Sequence, residues 1–372
     1  MRLTIDFLLG LSALQSAFAH APSRTVQNVG RASCTLTALG SGKDDSPQFL
    51  TAMQACSTVV IPATTTLNIS TRLNMTGLTN KHLNAFPFAF QTSITFWILG
   101  GTNIVVDGGG TIDGAGQAWY DAFAKSSSLL RPITMTLFQA TNVLVQNIKM
   151  INSPIWFNFV NEGKNVTFNN VTLNAASTSS NGPANTDGWD TYRSDTVFIT
   201  NSVINNGDDC AAKDSTNIFV ANLNCTGSQS LGQFAGMFDI VENVTATNIH
   251  MSNAQNGARI KCWAGSGVGS GIVKNITFNG FIESKVDNPV IIDQCASFPS
   301  NTLIQDVFFN NISGTSTGST VANVGCSPDG RCSDINVNNL NLAPSSGTAK
   351  FTCQNIKLAG NSASLFGTCA TT

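Results

Sequence analysis

A chain of 372 residues with 19 Lys and Arg against 21 Asp and Glu, and only 11% charged side chains, offers no basic stripe for nucleic acid. Its net charge of -2 singles out no charged partner. The length admits one large domain or two average ones, and 32 Gly with abundant Asn, Thr and Ser favour strands and turns over helices.

The first residues read as a secretory signal: Arg2 supplies the positive end, Phe7 to Phe18 is largely apolar, and Ala17-Phe18-Ala19 fits the small-x-small cleavage pattern. Residues 1–19 are therefore expected to be removed, leaving 20–372 as a single secreted, extracellular domain. No other run is long and apolar enough to cross a bilayer. Ten cysteines suit an oxidising compartment. Short separations point to Cys34 with Cys56, Cys210 with Cys225, Cys326 with Cys332 and Cys353 with Cys369, leaving Cys262 with Cys295. A zinc site is the rival, but there is no CxxC pair and the histidines are His20, His82 and His250 alone. N-x-Ser/Thr sequons begin at Asn68, Asn74, Asn165, Asn170, Asn224, Asn243, Asn275 and Asn311, so a partly glycosylated protein is expected.

After a polar lead-in, Ser46 to Cys56 is the one early helix. Ser46 can cap it, Pro47 suits its first position, and Phe49, Leu50 and Met53 give an apolar stripe. It would plug the first coil of a solenoid, whose end otherwise exposes apolar interior. The solenoid itself is announced by a returning motif: a polar residue, then Asn, Asp or Thr, then alternating β-branched positions. It occurs at Asn103, Asn142, Asn165, Thr196, Asn217, Asn243, Asn275, Asp306 and Asp334. Intervals from Asn142 onward run 23, 31, 21, 26, 32, 31 and 28 residues, the period of a repeat architecture built from short strands. The pattern lacks leucine-rich-repeat spacing, and an all-β single right-handed parallel β-helix is the expected fold. A generic all-β sandwich is the alternative. The segment from Gly114 to Ile133, containing Trp119 to Phe123 and Arg131-Pro132, is an insertion of the kind that walls a binding cleft.

Against this uniform frame, Asn185-Thr186-Asp187-Gly188-Trp189-Asp190 is answered 21 residues on by Asn206-Gly207-Asp208-Asp209-Cys210. If that interval is one coil, Asp187, Asp208 and Asp209 share one small patch. Crowded carboxylates favour retaining a proton on one while the others stay ionised, which suits glycoside hydrolysis. Turn-capping aspartates are the plainer reading of any one of them. In a strand, residues i and i+2 share a face, so Arg259-Ile260-Lys261 projects two cations together with Ile260 turned inward. Two cations beside carboxylates suggest a substrate bearing its own carboxylate; simple neutralisation of the aspartates is the alternative.

Asn185-Thr186-Asp187, Gly207-Asp208-Asp209-Cys210 and Arg259-Ile260-Lys261, in that order and spacing, resemble glycoside hydrolase family 28, the polygalacturonases, over roughly residues 30 to 360. The stretch from Asn185 to Ser194 and Ser230-Leu231-Gly232-Gln233 are most similar to the fungal exo-acting branch. The resemblance implies a secreted enzyme that cleaves α-1,4-galacturonide linkages of pectin with inversion, without cofactor or metal, as a monomer. It implies Asp208 as general acid, Asp187 and Asp209 as the groups that activate water across a gap between carboxyls, and Arg259 and Lys261 as the grip on the galacturonate carboxylate. Asn185 belongs to the same binding set, and Trp189 is available to stack on a sugar or to fill the core. Two departures stand out. The family places a His-Gly pair between the Asp-Asp-Cys and Arg-Ile-Lys motifs, where this chain reads Gly227-Ser228-Gln229-Ser230-Leu231-Gly232-Gln233, which implies a reduced rate. A tyrosine usual near Asp293-Gln294-Cys295-Ala296 is also missing. Rival functions are a rhamnogalacturonan- or xylogalacturonan-directed family member, an inactive pectin-binding relative, and a calcium-dependent pectate lyase using the acidic cluster.

Overall fold

The computed structural model describes residues 33–77, 93–210, 214–228, 231–232, 236–263, 265, 267–294 and 299–372. The proposed signal segment, His82, Cys295 and the Cys262 to Cys295 pairing lie outside them. Every strand pairing is parallel, in one 16-stranded sheet, one five-stranded sheet and a small N-terminal pair. Successive strands pair with the equivalent strand one coil later, as in Val197 opposite Ile218, then Ile218 opposite Val244, Val244 opposite Ile276 and Ile276 opposite Val307. The chain is thus a parallel β-helix, right-handed as parallel crossovers are.

The recurring motif fixes the coil corners. Asn103, Asn142, Asn165, Thr196, Asn217, Asn243, Asn275, Asp306 and Asp334 all have φ between 55° and 62°, the left-handed region that Asn and Asp tolerate best. A second set of corners follows at Asn147, Asn170, Asn201, Asn222, Asn248, Gly280, Asn311 and Asn339. Between the two corners each coil carries its first face, so the inward position after each first corner stacks Val143, Val166, Val197, Ile218, Val244, Ile276, Val307 and Ile335, all buried. Each such side chain contributes about 1.5–3 kcal/mol over exposure. Corner asparagines bond to one another from rung to rung: Asn165 donates to Asn142 at 2.7 Å, Asn222 to Asn201 at 2.8 Å and Asn248 to Asn222 at 2.8 Å. The rungs are therefore tied on both the dry and the wet side of the wall.

The N-terminal helix spans Ser46–Ala55 and covers the first coil, with Phe49 and Ala52 buried and the Phe49 ring 5.5 Å from that of Trp97. Its cap position is Asp45 rather than Ser46. Ser46 is the first helical residue, and its hydroxyl bonds the Thr71 carbonyl at 2.9 Å, joining helix to solenoid. The insertion at 114–133 forms a second helix, Gln117–Phe123, anchored by the Tyr120 hydroxyl on the Ser153 carbonyl at 2.9 Å. Four of the expected disulfides are formed, Cys34–Cys56, Cys210–Cys225, Cys326–Cys332 and Cys353–Cys369. Among the described residues no helix is long and apolar enough to cross a membrane.

Candidate active site

Three faces make each coil, and the site lies where the second face turns into the third. Strand Ser194–Asp209 ends on the acidic pair, and Asn185 to Gly188 form the preceding coil's turn into strand Trp189–Tyr192. Backbone contacts lock these two turns together. Gly188 N–H donates to the Asp209 carbonyl at 2.9 Å, and Gly207 N–H donates to the Thr186 hydroxyl at 2.8 Å. Gly207 is required there because a Cβ would collide with the Pro183 carbonyl oxygen. Asn206 holds the Asp209 carbonyl at 3.0 Å, and the Cys210–Cys225 disulfide ties the end of the turn to the next coil.

Asp187, Asp208 and Asp209 consequently converge, each offering a carboxylate oxygen within 4.8 Å of the others. Asp187 is buried, while Asp208 and Asp209 are half-buried. Such a set of oxygens would accept a cation. Asp208 receives two hydrogen bonds, from Asn185 Nδ2 on Oδ2 at 3.0 Å and from the Asp209 N–H on Oδ1 at 2.9 Å.

Strand Asn256–Lys261 lies on the third face two rungs further on, roughly 10 Å along the axis at about 4.8 Å per rung. Ile260 is fully buried, and Arg259 and Lys261 point outward, as the i, i+2 rule requires. Arg259 pairs with Asp293 of the next rung at 3.2 Å, so one of the two cations is already partly neutralised. Lys261 Nζ sits 4.8 Å from the ring centre of Trp263, which is 41% exposed.

Trp189 does not line the groove. It is 1% exposed, packed edge-on against Phe168 at 5.9 Å inside the solenoid. All four residues of its strand are buried, so no outward position exists for a sugar-stacking ring, and the substrate-binding assignment is withdrawn.

Arg131 was not singled out from sequence beyond its place in the insertion, yet it stands behind the cluster. The residue is 2% exposed, and its guanidinium lies 3.6 Å from the centre of the Phe123 ring and donates to Asn185 Oδ1 at 2.8 Å and to the Pro154 carbonyl at 3.0 Å. Burial pulls its pKa down, and the charges of Asp187 and Asp208 oppose that shift. The available signal was an arginine opening an otherwise uncharged strand, Arg131–Gln146.

This geometry on a parallel β-helix defines a carbohydrate-cleaving class of site, and comparison with known proteins agrees. Residues 44–365 match the model of glycosyl hydrolases family 28, and the chain belongs to that family. It is 42% identical over 369 residues to an exopolygalacturonase of Cochliobolus carbonum, covering 86% of this chain and 83% of the relative. It is 39% identical to exopolygalacturonase X of Aspergillus niger, covering 86% and 85%. Among solved structures, the endo-xylogalacturonan hydrolase of Aspergillus tubingensis superimposes with a TM-score of 0.77 at 28% identity, covering 92% of this chain and 99% of that one. Family membership makes the protein a glycoside hydrolase and removes the lyase reading.

Proposed function

We propose that the protein is a secreted, monomeric, exo-acting hydrolase of the α-1,4-galacturonide linkages of polygalacturonate, with its catalytic domain in residues 20–372. The observation that carries the reading is the convergence of Asp187, Asp208 and Asp209 within 4.8 Å, with Arg259 and Lys261 presented outward two rungs away. Protonated Asp208 donates to the leaving glycosidic oxygen, while Asp187 and Asp209 orient a water and take its proton as it attacks the anomeric carbon. Arg259 and Lys261 bind the galacturonate carboxylate. The curated relatives named exopolygalacturonase support exo action on this substrate.

The likeness to an endo-xylogalacturonan hydrolase favours one rival substrate. Time-resolved product analysis on oligogalacturonides and on xylogalacturonan separates the two. Galacturonate monomer appearing alone supports the proposal. A ladder of shorter oligomers refutes exo action, preference for the xylose-bearing polymer transfers the protein to the rival, and silence at high enzyme loading leaves only binding. Proton NMR of the first product tests inversion: a β-configured reducing end is expected, and an α-configured one refutes it.

A further inference from the structure

We infer that Arg131 is a positioning residue that fixes which way the Asn185 amide faces and thereby supplies the hydrogen bond Asn185 gives to Asp208. An arginine guanidinium only donates. Held by the Pro154 and Ala184 carbonyls and covered by the Phe123 ring, it can present nothing but N–H to Asn185. The Asn185 carbonyl must therefore face Arg131, which it does at 2.8 Å. The amide nitrogen is then left pointing at Asp208 Oδ2, 3.0 Å away. Reversing the amide would set two donors against each other at Arg131 and two acceptors against each other at Asp208. Asn185 itself sits at φ 54°, a backbone state asparagine tolerates, so the residue is held at both ends.

The relay runs across three parts of the chain: the insertion helix through Phe123, the strand that opens at Arg131, and the turn before the catalytic coil. It gives the insertion a chemical role. Asp208 is faced by Asp187 and Asp209, by the Asn185 donor, and by the Arg131 charge behind it. Removing the relay should loosen the orientation of the Asp208 carboxyl. The inference rests on the reading of Asp208 as general acid.

The test uses the full chain on oligogalacturonides, with thermal melts to confirm folding. R131M should lower kcat about tenfold or more with KM within about twofold. The double variant R131M/N185A should be no slower than the slower single one, because both remove the same relay. N185D keeps a partner for Arg131 but turns an acceptor toward Asp208, so it should fold and show the same fall in kcat with KM little changed. An unchanged kcat in N185D, or losses that simply add in the double variant, overturns the inference. Should R131M fail to fold, N185D alone decides. D208N separates this from the underlying reading: if D208N stays active, the acid assignment fails; if D208N is inactive while R131M and N185D behave as wild type, only the relay fails.

Discussion

Glu283 lies in strand Ser270–Val286, 2% exposed, against Gly257 and Ala258 on the inner side of the strand that carries Arg259 and Lys261. Neither carboxyl oxygen makes a well-formed hydrogen bond. Burial raises its pKa well above the ordinary 4.5, and the Ala258 N–H opposes the shift. Just above its ordinary value the group keeps its proton in the folded protein and ionises in the unfolded chain. The unfolded state therefore binds fewer protons as pH rises from 4.5, and stability falls until the folded carboxyl also releases its proton. Over that window the slope is about 1.4 kcal/mol per pH unit. For a chain of this size the unfolding entropy is on the order of 0.7 kcal/mol/K, so the effect is about 2 °C in Tm per unit. E283Q cannot titrate, and the other titrating groups are common to both proteins. Melting curves of wild type and E283Q between pH 4 and pH 7 should show the difference in Tm moving in favour of the variant by about 2 °C per unit above pH 4.5. A difference that stays flat across that range would refute a neutral buried Glu283.

D208N should lower kcat by about a hundred- to ten-thousandfold with KM little changed, measured by release of reducing ends. R259A and K261A should each lower kcat/KM on oligogalacturonate by about ten- to a hundredfold, and the loss should shrink on methyl-esterified oligomers, which lack the carboxylate. W189A should cost about 3–5 kcal/mol of stability in denaturant melts and leave KM of the folded fraction unchanged; a raised KM with unchanged stability would return Trp189 to the binding set.

The fold was legible because each corner demands a backbone conformation that few residues adopt. Asn142, Asn165, Asn217 and the rest recur for that reason, and the intervals between them are the actual lengths of the coils. The aspartate cluster was legible for the same cause, since a 21-residue interval places Asp208 one rung from Asp187. Arg131 was not, because nothing local says that residue 131 returns to residue 185 through the solenoid wall. Trp189 was ambiguous since Trp-Asp-Thr-Tyr alternates in polarity, whereas the strand it forms is buried on both faces. Ser46 was misplaced by one residue because Asp44, Asp45 and Ser46 are all competent caps.

The departure at 227–233 falls in the coil just beyond the acidic pair, and the structure limits what it can disturb. The corner hydrogen bond from Asn243 to Asn217 is intact at 3.0 Å across that coil, and Leu231 stands in register opposite Ile260. The coil thus closes on both sides of the altered stretch, and the strand bearing Arg259 and Lys261 keeps its place. Gly227, where the altered stretch begins, packs directly on the site: a Cβ there would come within 2.7 Å of the Asp208 carbonyl and collide with the Asn206 side chain. The chain is therefore pinned against Asp208 up to Gly227 and again in register at Leu231. The assembly of the three carboxylates therefore does not depend on the missing histidine.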